Sequence, residues 1–248
     1  MPSRVLAIGH RGAAAHRPEN TMPSFEKALE LGADALEFDV TLSLDGIPVV
    51  IHDDTLDRTT DGRGAVEAVL LDDLRRLDAG KKKGLSTPIP TLAEVLDAFA
   101  HRTLLNLEMK VSPRREQLVK ACVESVTERG VTGAVVFSSF DHDALRLLRR
   151  LLPEARIGVL AAGGQLEEAF ACAAEIGAEN LHPSMEEVTR SVVRRAHAAG
   201  LQVWTWTANS SVAIACVIDF GVDGIFSDWP ERVVAGRGPG EPAATNHG

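Results

Sequence analysis

The chain has 248 residues, 45% of them apolar and 25% charged, with 35 acidic against 26 basic side chains and a formal charge of −9. That mixture excludes bulk disorder, and at about 100–200 residues per domain the length suits one large or two small domains. The acidic balance excludes general nucleic-acid binding, which relies on basic surface to displace counterions, while leaving room for a small anionic substrate that meets local positive charge.

Short β-rich runs alternate with longer helical stretches along the whole chain. A strand over 5–9 runs into His10-Arg11-Gly12, a helix follows over 22–31, and a second strand covers 35–40. The apolar run Pro48-Val49-Val50-Ile51 then ends in His52-Asp53-Asp54. From there to Thr91 the rhythm breaks: Asp61-Gly62-Arg63-Gly64 marks a turn, 71–77 reads as a short helix, and Lys81-Lys82-Lys83 precedes Pro88 and Pro90. This stretch, 54–88, is an insertion subdomain, and its lysines read as solvated surface before they read as a grip on anionic headgroups. Regular alternation resumes with helices over 92–100, 114–129, 141–151, 165–176, 186–199 and 211–220. Strands over 103–108, 134–137, 156–160, 179–182, 202–206 and 224–226 lie between them, and a short helix follows Pro230. Gly32, Gly130, Gly177, Gly200 and Gly221 stand just past helix ends, where a left-handed residue is needed.

Eight βα units in this length predict a (β/α)8 TIM barrel with a small insertion after the second strand, forming one catalytic domain over 1–236. An open doubly wound sheet is the alternative, and no G-x-G-x-x-G after the first strand supports it. The residues 237–248, rich in Gly, Pro and Ala, are expected to be disordered. No apolar run approaches the ~18–20 residues that span a bilayer, and the N-terminus turns polar too early for a secretory signal. Cys122, Cys172 and Cys216 lack metal or redox spacing and are expected to be buried free thiols, so the expected location is cytoplasmic.

Polar residues gather at strand ends. Side chains two apart share a face, so Leu36, Phe38 and Val40 point one way and Glu37 and Asp39 the other. Asn106, Glu108 and Lys110 repeat that pattern against Leu105, Leu107 and Met109. Three carboxylates sent into a barrel interior need protonation or a bound cation, and an oxygen-only set suits Mg²⁺ or Ca²⁺. Separate salt bridges, Glu108 with Lys110 or Glu37 with Arg11, are the simpler alternative. His10 and His52, both at strand ends, form a candidate acid–base couple. His182 either lines the pocket or caps its strand.

In this order and spacing, His10-Arg11-Gly12, Pro18-Glu19-Asn20-Thr21, Glu37-x-Asp39, His52-Asp53, Asn106-x-Glu108-x-Lys110, Trp206-Thr207 and Gly221-Val222-Asp223-Gly224-Ile225 resemble the glycerophosphodiester phosphodiesterase family. Each motif is weak alone; together they are specific and span Ile8 to about Arg232. The resemblance implies one divalent ion on Glu37, Asp39 and Glu108, with His10 and His52 as acid and base. It places Arg11 and Lys110 on the phosphate and Glu19 and Asp53 in orienting roles. Trp206 and Phe140 would wall the pocket, while Trp204 is assigned to the core. The implied reaction splits a small glycerophosphodiester, such as glycerophosphocholine or glycerophosphoethanolamine, into glycerol 3-phosphate and an alcohol. Either water or the substrate's 2-hydroxyl would attack. Three carboxylates, a dication, two basic side chains and a phosphodiester sum to zero charge. A lysophospholipase D acting on lysophospholipids is the alternative within this chemistry. A metal-dependent barrel isomerase or aldolase, or a non-catalytic phosphodiester-binding protein, lies further off.

Overall fold

Eight of the nine strands in the computed structural model, which describes residues 4–238, run parallel and close on themselves. They are β1 (Leu6–Gly9), β2 (Ala35–Leu42), β4 (Leu104–Met109), β5 (Val135–Ser139), β6 (Arg156–Ala161), β7 (Asn180–Pro183), β8 (Gln202–Thr205) and β9 (Gly224–Ser227), and β1 pairs with both β2 and β9. Around them lie α1 (Met22–Glu30), α3 (Leu92–Phe99), α4 (Arg115–Glu128), α5 (His142–Leu151), α6 (Leu166–Ile176), α7 (Arg190–Ala198), α8 (Ser211–Phe220) and α9 (Pro230–Gly236). This is the predicted TIM barrel. β3 (Pro48–Val50) is the ninth strand: it pairs antiparallel with the far end of β2, Val50 opposite Val40.

Side-chain parity explains the layering. Leu36, Phe38 and Val40 join the core between strands and helices, where Phe25 meets Phe38 and Phe99 edge to face at 5.8 and 5.7 Å. The opposite face of the sheet encloses a smaller apolar plug of Ile8, Ala35, Val136, Trp204 and Phe226. Trp204 is fully buried there, as the core assignment requires. His182 neither lines the cleft nor caps β7. It is buried in the plug, stacked on Trp204 at 5.1 Å with Phe226 at its edge. Gly158 on β6 makes the room, since a Cβ there would come within 2.2 Å of the imidazole.

Two helix-level expectations need correction. The helix expected over 186–199 starts at Arg190, because the Thr189 hydroxyl accepts the Val192 N–H and caps it, while residues 184–188 form a turn. Cys122 and Cys172 are buried free thiols, but Cys216 is exposed, since Ile214 and Val217 turn α8's inner face to the core.

Between β3 and α3 the inserted segment holds α2 (Leu71–Leu74) and a separate small core of Val49, Ile51, Leu56, Val66, Leu74 and Ile89. Arg75 fastens it to α3 through both oxygens of Glu94, at 2.8 and 2.6 Å. The Lys83 ammonium donates to the carbonyls of Ala14 and Ala15, so this lysine holds the β1–α1 loop. Of the expected disordered tail, only Arg237 and Gly238 fall among the described residues, and Arg237 donates to the Val5 carbonyl and pairs with Asp34. Among the described residues no helix is long and apolar enough to cross a membrane.

Candidate active site

The C-terminal strand ends, where barrels of this type carry their chemistry, bring together most of the polar residues singled out in the sequence. Glu37 and Asp39 leave β2 inward, and β4 sets Asn106 opposite Glu37 and Glu108 opposite Asp39. One carboxylate oxygen from each of Glu37, Asp39 and Glu108 lies within 4.8 Å of the other two. Desolvation, then repulsion from Asp39 and Glu108, pushes the Glu37 carboxyl well above the usual range. Burial and Asp39 likewise raise Glu108. Asp39 goes the other way, to about 2, because Lys110, Arg11 and a hydrogen bond from Asn20 outweigh its burial.

The β1–α1 loop is folded around these acids. Arg11 adopts φ 51°, a left-handed conformation costing a non-glycine residue about 1–2 kcal/mol. That turn aims its backbone N–H at Glu37 Oε2, 2.7 Å away, and Gly12 continues it at φ 80°, where a Cβ would strike Ser24. Asn20, also left-handed at φ 57°, donates its amide to Asp39 Oδ2 at 2.8 Å and accepts the Asp39 N–H at 3.2 Å. The Arg11 guanidinium donates to Glu19 at 2.8 Å, with Nε 3.4 Å from Asp39. Lys110 Nζ donates to Glu108 at 3.0 Å and to Asp39 at 3.3 Å. Both basic groups therefore rest on the acids as well as facing the cleft: the expected Glu108–Lys110 bridge exists, whereas the Arg11 guanidinium pairs with Glu19 and Asp39 and gives Glu37 only its backbone N–H.

Those pairings do not saturate the carboxylates. Among the described residues the Glu37 side chain accepts only the Arg11 backbone N–H. Buried, crowded, oxygen-only donors of this kind suit a hard divalent ion such as Mg²⁺ or Ca²⁺.

The two histidines stand on the same cleft. β3 carries the chain back to Asp39, whose carbonyl accepts the Ile51 N–H, so His52 is delivered beside the acids. His52 Nδ1 lies 2.6 Å from Asp53 Oδ1, and His10 Nδ1 lies 2.6 Å from Asp228 Oδ1. Asp53 is held well below the usual range by hydrogen bonds from Arg58, which outweigh its desolvation, with His52 assisting. Asp228 is also lowered, its burial outweighed by the hydrogen bond with His10. An ionised carboxylate only accepts, so each Nδ1 carries a proton, and each Nε2 has no hydrogen-bond partner among the described residues. Asn209 completes the second pair by donating to Asp228 Oδ2 at 2.7 Å and accepting the Asp228 N–H at 2.9 Å.

His10, Arg11, Glu37, His52 and Glu108 line one small cleft with Phe140 and Trp206, whose rings meet edge to face at 5.4 Å. The Trp206 indole N–H is fixed by the His182 carbonyl at 2.9 Å. A wider groove of about 530 Å³ continues outward past His52, Asp53, Lys110 and Phe140. Glu19 and Asp53 stay at the margin, touching Arg11 and His52. Asp228, Asn209 and Arg58 were not singled out in the sequence, and Asn20 was named only within the Pro18-Glu19-Asn20-Thr21 motif, with no role given to it. For Asp228 a signal existed: it continues the inward parity of Gly224 and Phe226 one step past β9.

Residues 10–232 match the Glycerophosphoryl diester phosphodiesterase family. A glycerophosphodiester phosphodiesterase of Caldanaerobacter subterraneus subsp. tengcongensis is 38% identical over 240 residues, covering 93% of this chain and 97% of that one. A phosphodiesterase from Oleispira antarctica, solved in complex with the product sn-glycerol-3-phosphate, superposes with a TM-score of 0.86. It is 32% identical, and the match covers 94% of this chain and 96% of that one. The glycerophosphodiester phosphodiesterase of Agrobacterium tumefaciens superposes with a TM-score of 0.79 at 28% identity, over 92% of this chain and 98% of that one. With its closed barrel, its acidic cluster and these relatives, the chain belongs to the glycerophosphoryl diester phosphodiesterase family of hydrolases.

Proposed function

We propose that the chain hydrolyses small glycerophosphodiesters to glycerol 3-phosphate and an alcohol such as choline or ethanolamine, in the cytoplasm. The observation that carries this reading is the pairing of two carboxylate-held imidazoles with one three-carboxylate cluster in a single cleft. The Oleispira relative's product complex supports the glycerol 3-phosphate half.

Glu37, Asp39 and Glu108 would hold the divalent ion, Mg²⁺ or Ca²⁺, which supplies positive charge at the phosphoryl oxygens. Arg11 and Lys110 face the same oxygens and share the developing charge, the usual dominant contribution in phosphoryl transfer. One imidazole takes the nucleophile's proton at Nε2, and the other gives its Nε2 proton to the departing alcohol oxygen as the P–O bond breaks. Asp228 and Asp53 keep each Nδ1 proton in place and favour the imidazolium each histidine passes through. Trp206 and Phe140 form the wall against the glycerol carbons, and Glu19 steadies Arg11. Water or the substrate's own 2-hydroxyl serves as nucleophile, the second route giving a cyclic phosphate that water then opens.

The test is release of glycerol 3-phosphate from a panel of glycerophosphodiesters, with lysophosphatidylcholine alongside and with or without chelator. Turnover of glycerophosphocholine that collapses on chelation and returns with added Mg²⁺ or Ca²⁺ is expected. Activity untouched by thorough chelation overturns the metal assignment, and preference for the lysophospholipid overturns the substrate class.

A further inference from the structure

We infer that Arg58 is a positioning residue for the reaction, one guanidinium of the insertion that holds both His52 and Arg11 in place through the carboxylates beneath them. The inference rests on the reading of His52 and Arg11 given above.

Arg58 donates through Nε to Asp53 Oδ2 at 2.6 Å and through Nη2 to Asp53 Oδ1 at 2.8 Å. It also donates through Nη1 to Glu19 Oε2 and through Nη2 to Glu19 Oε1, both at 2.7 Å. Two edges of one planar group thus grip two carboxylates that belong to separate segments, the β1–α1 loop and the chain after β3. From Glu19 the network continues to Arg11, and from Asp53 to His52, so two cleft residues 41 positions apart are joined through a single cation.

The arrangement is directional. Among the described residues the Glu19 side chain accepts from Arg11 and Arg58 alone, and the Asp53 side chain meets only His52 and Arg58. Without Arg58, each carboxylate keeps one partner, the cleft residue that it should hold still, and the two anions lose the cation that bridges them. Arg58 is 44% exposed in its side chain, and a pair so exposed adds little to stability. Its forked geometry therefore points to orientation rather than to fold. A lysine, a compact point charge, cannot span both carboxylates with paired bonds. The turn that carries Arg58 is anchored by buried Leu56, whose carbonyl accepts both the N–H and the hydroxyl of Thr60.

The experiment compares Arg58→Ala and Arg58→Lys with Lys83→Ala, which cuts another bond between the insertion and the β1–α1 loop. Arg58→Ala is expected to lower kcat about 10- to 100-fold, the scale for residues that orient a reacting imidazole, with little restored in Arg58→Lys. Added guanidinium ion should recover part of the Arg58→Ala turnover, and the downfield NMR signal of the His52 Nδ1 proton should broaden or move. Lys83→Ala should stay within about twofold of the parent, and divalent-ion binding by calorimetry should be unchanged in all three. Normal kcat in a folded Arg58→Ala, while His52→Ala collapses, overturns the inference alone. Normal kcat in His52→Ala brings down the reading of His52 and this inference with it. Should Arg58→Ala fail to fold, normal turnover in Arg58→Lys overturns the inference.

Discussion

Each histidine of the cleft is defined by what holds its Nδ1. On the His10 side that partner is Asp228, 218 residues away in sequence and itself fixed by Asn209. Asp228→Asn keeps the size of the side chain but can present an N–H to His10, which favours the tautomer with its proton on Nε2. A loss of about 10- to 100-fold in kcat is expected, with KM moving less, because the change strikes proton transfer and leaves the phosphate contacts. Steady-state kinetics on glycerophosphocholine measure it. His10→Ala and His52→Ala should each cost at least about 10²-fold. Near-normal turnover in both, with the ion still bound, removes the imidazoles from the reaction. Glu37 and Asp39 were legible because alternation along one strand fixes a shared face, and Glu108 because the same alternation recurs with Asn106 and Lys110 along β4. Arg58 was not, because its partners are set by the fold of the insertion, which leaves no local pattern; for Asp228 strand parity marks the inward face, but its pairing with His10 is set only by barrel closure.

The insertion is the element on which His52 depends. Its root, β3, was not recognised as a strand: three residues beginning with proline carry too little periodicity, and only pairing with β2 makes them extended. The eight parallel strands were legible for the opposite reason, since each combines an apolar run with a glycine-terminated helix before or after it. Helix starts read less well, as at Arg190, where the turn before the cap is as helix-compatible in composition as the helix itself. Because the insertion's small core shares none of its buried residues with the main one, it should loosen separately. Leu74→Ala removes a fully buried side chain from it, a change that costs about 2–5 kcal/mol in a packed core. Hydrogen exchange is expected to show faster amides over 54–88 and unchanged protection in β4 through β9, together with reduced turnover as His52 loses its footing. Uniform acceleration across the barrel would mean that the two cores unfold as one.

For the whole molecule, acid sensitivity is set partly by a residue that has no part in the chemistry. Burial inside the barrel lowers His182 from 6.5 to about 3. The unfolded chain takes up a proton there as pH falls below about 6.5, while the folded chain stays neutral until about 3. His182 therefore contributes full stability above 6.5, and the contribution drains away as pH falls through that window, to a limit of roughly 5 kcal/mol. His182→Phe keeps an aromatic ring between Trp204 and Phe226 and removes the titration. Denaturant midpoints at pH 7 and pH 4.5, with chelator present so that the acidic cluster titrates alike in both proteins, isolate the difference. The parent should lose about 3 kcal/mol more than the variant over that interval, two pH units below 6.5 at about 1.4 kcal/mol each. Equal losses would mean that the imidazole is protonated in the folded barrel, which the enclosing Trp204 and Phe226 rings and the lack of a hydrogen-bond partner at either nitrogen among the described residues argue against.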